Sequence, residues 1–309
     1  MDQSPELLAA HQARREAFDA LLAPSAPLPE LTPVDAELTC PGGVALVRTT
    51  ETDPDAFLFS FTAARESRLL PKVDGPEAFA RLLDLWSGME VFQPGPDSVA
   101  TITWPSRDTE MTRALAERGF APQSVFAVRL AGRSMAGSAG SDVVVRRIEH
   151  RDVETAVRLW TEELRWDAQF GATAIRPSTR ARVEEQVAQA VAGEEKRGWV
   201  AERGGEVVGL LAVQPPAHAG WAAKTIRVGP AAYVPCGIVA ASERGGGVGS
   251  ALVRRVHADL DAEGVAATLL HYNALNPLSG PFWSRAGYRP LLTVWARGTV
   301  GPTVHPAVR

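Results

Sequence analysis

The stretch from Tyr233 to Asp261 constrains this chain more than any other. An apolar run, Tyr233 to Ala240, is long enough for one buried strand. A loop follows that carries Arg244, Gly245, Gly246, Gly247 and Gly249. Beyond it, Leu252, Val253, Val256 and Leu260 recur at helical spacing and define one apolar face. Strand, glycine loop and helix N-terminus together predict an anion site. Glycine lets the backbone turn sharply and approach a ligand closely, and the first N–H groups of a helix lack partners within it. The helix dipole adds partial positive charge at that end, so a phosphate or pyrophosphate is the expected ligand.

Two nucleotide-binding loops are excluded by their own requirements. A Walker-type loop ends in Gly-Lys-Ser/Thr, whereas Gly249 is followed by Ser250 and Ala251. The dinucleotide fingerprint G-x-G-x-x-G, started at Gly245-x-Gly247, requires glycine where Ser250 stands. It also wants an acidic residue at the end of the next strand, and that strand, Ala267 to Tyr272, ends in Asn273.

The loop does fit R-x-x-G-x-G, read as Arg244, Gly247 and Gly249. Downstream lie Asn276, then the aromatic pair Phe282-Trp283, then Gly287-Tyr288 and Pro290. With these two motifs, each preceded by a strand, the chain resembles the GNAT superfamily of acyl-CoA-dependent N-acyltransferases. The resemblance covers 143–297 well and 40–130 loosely. It implies an α/β fold in which a mixed, mostly antiparallel sheet is flanked by helices.

Length and charge narrow the partners. As a prior, 309 residues suggest two domains, and 45% hydrophobic residues suffice for ordinary cores. A net charge of -4 gives no footprint for nucleic acid. No apolar run reaches the roughly 20 residues of a membrane helix, and the opening MDQSPELLAA is acidic and polar rather than signal-like. Two cysteines, Cys40 and Cys236, make no disulfide framework. The expectation is a cytoplasmic protein, with neither nucleic acid nor membrane as a partner, and monomeric or homodimeric.

In chain order, the sequence predicts a helix over Pro5–Leu22, a Pro-rich stretch, and a strand over Val44–Thr49. It predicts helices over Pro54–Leu70 and Pro76–Trp86, a strand over Ser98–Trp104, a helix over Asp108–Arg118 and a strand over Val125–Leu130. The segment ending Gly119-Phe120-Ala121-Pro122 echoes Trp283 to Pro290: both are a helix, Gly-aromatic, a proline and an apolar strand. This reads as a duplication, two GNAT-like domains in tandem, over 1–130 and 143–309. The first lacks R-x-x-G-x-G and is expected to be degenerate; a generic helix C-cap is the alternative account of the echo. Residues 131–142, small and polar, form the expected linker. After it come a strand (Val143–Ile148), helices over Arg151–Leu164 and Thr179–Ala192, and a hairpin of Trp199–Glu202 with Val207–Val213. A Pro-rich insertion, Gln214 to Gly229, leads into the central strand.

The resemblance implies acyl-CoA, acetyl-CoA by default, as cofactor, and no metal. The pantetheine arm would run along Ile238, Val239 and Ala240. The N–H groups of Arg244, Gly245, Gly246, Gly247, Val248, Gly249 and Ser250 would hold the pyrophosphate. Asn276 matches the family's helix-initiating Asn, which also faces the cofactor in many members. Many members carry a tyrosine acid at the second position of the aromatic pair. Here that position is Trp283, whose indole N–H only donates a hydrogen bond. A thiolate is nonetheless a tolerable leaving group.

The acceptor, expected to be a small-molecule amine, must lose a proton before or during attack. The central strand offers no acid. Candidate bases are Glu162, Glu163 and Asp167 near the end of the first helix, His218 on the insertion, and His271 on the strand before Asn273. His271, with a suitable intrinsic pKa, and Glu162 are the residues chosen. Trp166 and Phe170 would line the acceptor site by the same resemblance. The competing reading is a sensor or partner-binding scaffold that holds acyl-CoA with little or no turnover.

Overall fold

The computed structural model describes residues 4–89, 97–133, 135, 142–192 and 197–298. They form two compact units, the first made of 1–125, 168–176 and 290–309, the second of 126–167 and 177–289.

The first unit opens with α1 (Pro5–Phe18), then β1 (Ala36–Cys40), β2 (Gly43–Glu51), a 3-10 turn at Phe57–Ser60 and β3 (Arg65–Val73). It continues with α2 (Pro76–Ser87), β4 (Ser98–Pro105) and α3 (Thr109–Glu117). The strand β5 (Ala121–Leu130) follows, and β11 (Arg289–Gly298) returns from the chain's far end. The sheet order is β1-β2-β3-β4-β11, antiparallel except for the parallel pair β3/β4. α2 shows why these segments become helices. Pro76 starts its first turn, and Ala78, Phe79, Leu82, Leu83 and Trp86 fall on one buried face against the sheet.

Residues Pro54–Leu70, expected as a helix, are instead the 3-10 turn and most of β3. β3 is bonded on both sides, to β2 over nine residue pairs and to β4, and that pairing overrides local helix preference. β1 was not expected. α1 ends at Phe18, four residues short of the expected Leu22.

β3 and β4 stay paired only from Arg65↔Ser98 to Leu69↔Ile102, and β3 runs on to Val73. The edge so released is covered by α1. The Val73 N–H donates to His11 Nδ1 at 3.2 Å, and the Trp104 ring meets the His11 ring at 5.7 Å. Arg14 donates to both Asp108 oxygens, at 2.8 and 2.7 Å, while Asp108 also receives the Trp104 indole N–H and caps α3. Burial, reinforced by Lys72 and Arg15, lowers the His11 pKa to about 3, so the ring is neutral and Nδ1 is free to accept.

The second unit holds residues 126–130 of β5, then β6 (Val143–Arg147), α4 (Val153–Asp167), α5 (Thr179–Ala192), β7 (Arg197–Arg203) and β8 (Glu206–Gln214). The short α6 (Gly220–Ala223) leads to β9 (Ala231–Val239), α7 (Val248–Ala262), β10 (Ala267–Asn273) and α8 (Ser279–Arg285). Its strands run β5-β10-β9-β8-β7-β6; the β6–β9 meander is antiparallel and β9/β10 is parallel. Both units therefore repeat one plan, an antiparallel meander ending in a parallel pair joined by a helix.

The compact units cut across the sequence division at 130 and 143. Residues 292–298 of β11 pair with β4 and so belong with the first unit, whereas 126–130 belong with the second. Of the expected linker, residues 134 and 136–141 lie outside the described residues. Among the described residues no helix is long and apolar enough to cross a membrane.

A buried ion pair anchors the second unit. Arg129, 2% exposed, donates to both Asp261 oxygens at 2.9 and 2.7 Å. The guanidinium holds the Asp261 carboxyl below its ordinary range. Asp261→Asn should cost about 3 kcal/mol in urea unfolding at neutral pH, because it leaves a buried charge unpaired. A carboxyl with a lowered folded pKa stabilises above its unfolded pKa and loses that contribution as pH falls through the folded value. The gap between variant and wild type should therefore narrow below about pH 4.

Candidate functional site

In the second unit β9 and β10 pair from Ala231↔Ala267 to Val234↔Leu270 and then diverge. The next residue of β9 is Pro235, which has no N–H to give a neighbour. Close to the same point the β8/β9 register shifts between Ala212 and Gln214. β8 continues to hold Cys236 to Val239, so the opposite edge of β9 faces the gap. Gly237, Ile238 and Val239 line a cavity of about 600 Å³ that opens there. A Cβ on Gly237 would stand 3.1 Å from the Trp283 ring, so glycine is what lets α8 close against the strand.

The cavity continues to the N-terminus of α7. Gly245 and Gly247 take positive φ, +80° and +83°, and Gly247 is the helix N-cap, with no side chain to cap the first turn. The first intrahelical bond is donated by Ala251, to Gly247 O. The N–H groups from Gly247 to Ser250 thus have no partner within the helix, and these residues line the cavity. Arg203 braces the loop from outside, donating to Glu243 at 2.6 Å and to Gly246 O at 2.7 Å. Gly246 is turned to that brace: its Cβ would lie 2.7 Å from Arg203 Nη1. Arg244 lines the cavity, its Nε donating to Val239 O at 3.3 Å and its guanidinium 5.2 Å from the Trp166 ring centroid. Of the expected cofactor positions, all but Ala240 and Gly246 line the cavity.

The acidic groups that line it besides Glu243 are Glu163 and Asp167, one turn apart in the last turns of α4. Burial raises both carboxyls, Glu163 well above the ordinary carboxylate range; the neighbouring Asp167 charge raises it further. Asn276 donates from Nδ2 to Asp167 Oδ1 at 2.8 Å and accepts the Leu278 N–H at 3.0 Å. Asn273 Nδ2 donates to the Asp167 backbone carbonyl at 3.4 Å. Asn276 thus closes a turn two residues ahead of Leu278, the α8 N-cap, rather than capping the helix itself, while its amide N–H is directed to Asp167.

The two residues chosen from sequence as catalytic do not line the cavity. Glu162 is on the outer face of α4, paired with Arg158 at 2.9 Å. His271 keeps open surface, with Nδ1 3.1 Å from Tyr233 Oη and its ring 4.5 Å from Phe126. Burial among these rings still lowers its pKa to about 4, making it a weak base. His218 is exposed and away from the cavity. Glu163 and Asp167, which the sequence offers beside Glu162, are the acids of α4 that reach the cavity. The signal was the phase of α4: its buried residues Ala156, Trp160 and Leu164 share a side with 163 and 167, not with 162. Among the described residues no group of His, Cys, Asp or Glu is arranged to hold a metal ion.

Residues 159–288, which contain the cleft, the glycine loop and the carboxyl pair, match the model of the acetyltransferase (GNAT) family. No curated protein sequence matches the chain significantly. Among solved structures, a GCN5-related N-acetyltransferase from Sphaerobacter thermophilus is similar at 12% identity and a TM-score of 0.47, over 83% of this chain and 80% of that one. A GCN5-related N-acetyltransferase from Kribbella flavida is similar at 14% identity and a TM-score of 0.44, over 87% and 91%. A tandem GNAT protein from the clavulanic acid biosynthesis pathway is similar at 15% identity and a TM-score of 0.42, over 97% of each chain. Likenesses this distant carry no functional argument. The family match is of another kind: residues 159–288 carry the sequence pattern of the GNAT acetyltransferase family.

Proposed function

We propose that this protein is an acyltransferase that moves an acetyl group from acetyl-CoA to an amine of a small molecule. The observation that carries the reading is the continuity of one cavity from the diverging β9/β10 pair to the open N-terminus of α7. The free N–H groups of Gly247, Val248, Gly249 and Ser250 suit a pyrophosphate, and the helix dipole and Arg244 add positive charge. Gly237, Ile238 and Val239 offer the strand edge along which the pantetheine amides would pair. When bound, the thioester supplies an electrophilic carbonyl and a thiolate leaving group. Trp283 stands at the position where many GNAT members have a tyrosine, and can direct a hydrogen bond but give no proton at neutral pH.

In this reading the N-terminal repeat is a degenerate GNAT domain that does not hold CoA. α2 starts directly after Gly75 with Pro76 and Glu77, without a glycine loop, and α1 covers the released edge of β3. Trp283 favours a second reading, a domain that binds acyl-CoA without turnover. Release of free thiol separates the two.

Calorimetric titration with acetyl-CoA should give micromolar binding to the wild type. Gly249→Asp should abolish it, because a carboxylate would sit beside the phosphate cradle, where a Cβ already meets Phe282 at 3.1 Å and Val239 at 3.4 Å. Unchanged affinity in a variant that melts cooperatively would sink the assignment. Glu162→Gln and His271→Ala should leave thiol release within about twofold of wild type, since neither side chain reaches the cavity.

A further inference from the structure

The carboxyl pair at the end of α4 is unexplained by cofactor binding. Two acids one turn apart in a cavity repel each other, and a helix C-terminus disfavours anions. The arrangement nevertheless has its own supports: Asn276 on the Asp167 carboxylate and Asn273 on its backbone carbonyl. We propose that this pair is the acceptor end of the cavity: Glu163 keeps a proton and steadies Asp167, and Asp167 binds the ammonium of a cationic primary amine and takes its proton. Asn276 and Asn273 are positioning residues. The inference rests on the acyl-CoA reading above and names the acceptor class and the base for the same site.

The charges around the pair decide the substrate's sign. With one proton shared, the pair carries a single negative charge. On β9 burial opposes the ionisation of Tyr233 and Cys236, so neither adds a charge. The other charged residues lining the cavity are Arg244, Arg285 and Glu243, the last tied to Arg203. A carboxylate-bearing acceptor would meet like charge at the pair, and an alcohol would leave it uncompensated. An ammonium satisfies it. Burial lifts both carboxyls towards the amine's own range, which improves the match for proton transfer.

The ammonium gives up one proton to Asp167, and the freed lone pair forms the N–C bond as the thioester C–S bond breaks. A second proton leaves the nitrogen and ends on the departing sulfur, and Asp167 returns its proton to solvent. The net products are an amide, CoA thiol and one proton.

The test uses the full chain, acetyl-CoA, and n-butylamine, glycine and n-butanol as acceptors, read as thiol release. Wild type should turn over n-butylamine in preference to the other two, with kcat falling along an acid limb as Asp167 is protonated. Asp167→Asn should keep acetyl-CoA affinity within threefold, lower kcat about 100-fold and lose the limb. Glu163→Gln, which keeps a donor to Asp167, should retain the limb. Because ionising a raised carboxyl costs folded stability as pH rises through its folded pKa, both variants should melt no lower than wild type at neutral pH. The proposal is overturned if Asp167→Asn keeps the limb, if Glu163→Gln alone removes it, or if glycine or n-butanol is preferred. It is also overturned if acetyl-CoA binds and no amine releases thiol. A wild-type kcat without an acid limb overturns it whether or not the variants fold. Failure of wild type to bind acetyl-CoA is a different result, and it removes the acyl-CoA reading itself.

Discussion

The second unit depends on a parallel strand pair that is held for four residues and then let go. β9 and β10 could in principle share a ladder to their ends, but Pro235 withholds a donor at the point of departure and the β8 register slips nearby. Both local costs fall on β9, and what they produce is a strand edge with unpaired amides inside a folded domain. Such an edge is ordinarily a liability. Here it runs into the glycine-capped start of α7, so backbone groups of two kinds face one cavity, and neither depends on a side chain for its polarity.

Two carboxylates of this unit show how environment assigns roles. Asp261 meets a buried guanidinium and is held ionised; its work is to fasten Arg129 of β5 to the end of α7. Among the described residues Asp167 is met by the Asn276 amide and by no cation, and burial pushes it the other way. The first is finished by the fold. The second is left with an unmet demand for positive charge, which is the property expected of a group that handles substrate.

Most of the second unit was legible because its signals are local. The glycine loop, the apolar periodicity of α7, the hairpin turn at Gly204-Gly205 and the bounds Thr179–Ala192 all follow from short-range rules. The acidic site was less legible for a definite reason. Ending the helix at Leu164 hid the one-turn spacing of Glu163 and Asp167, and α4 in fact runs to Asp167. Pro54–Leu70 was misread because its strand is created by two neighbours far away in sequence, and the segment alone carries no such pattern. That β11 completes the first unit was equally invisible: any apolar strand after Gly287 looks the same whichever sheet receives it.

The first unit has its own diverging parallel pair, and its own chain fills it. His11 gives Val73 the acceptor that a bound molecule would otherwise provide, and the Arg14–Asp108 fork keeps α1 in place. In thermodynamic terms α1 is a tethered ligand, present at a fixed effective concentration and unable to be diluted away. The occupancy of that cleft is therefore independent of any solute. Among the described residues the other cleft has no such tether, so anything that bound there would add to its stability. One strand plan thus gives two different openings, one filled by the chain itself and the other open to a solute.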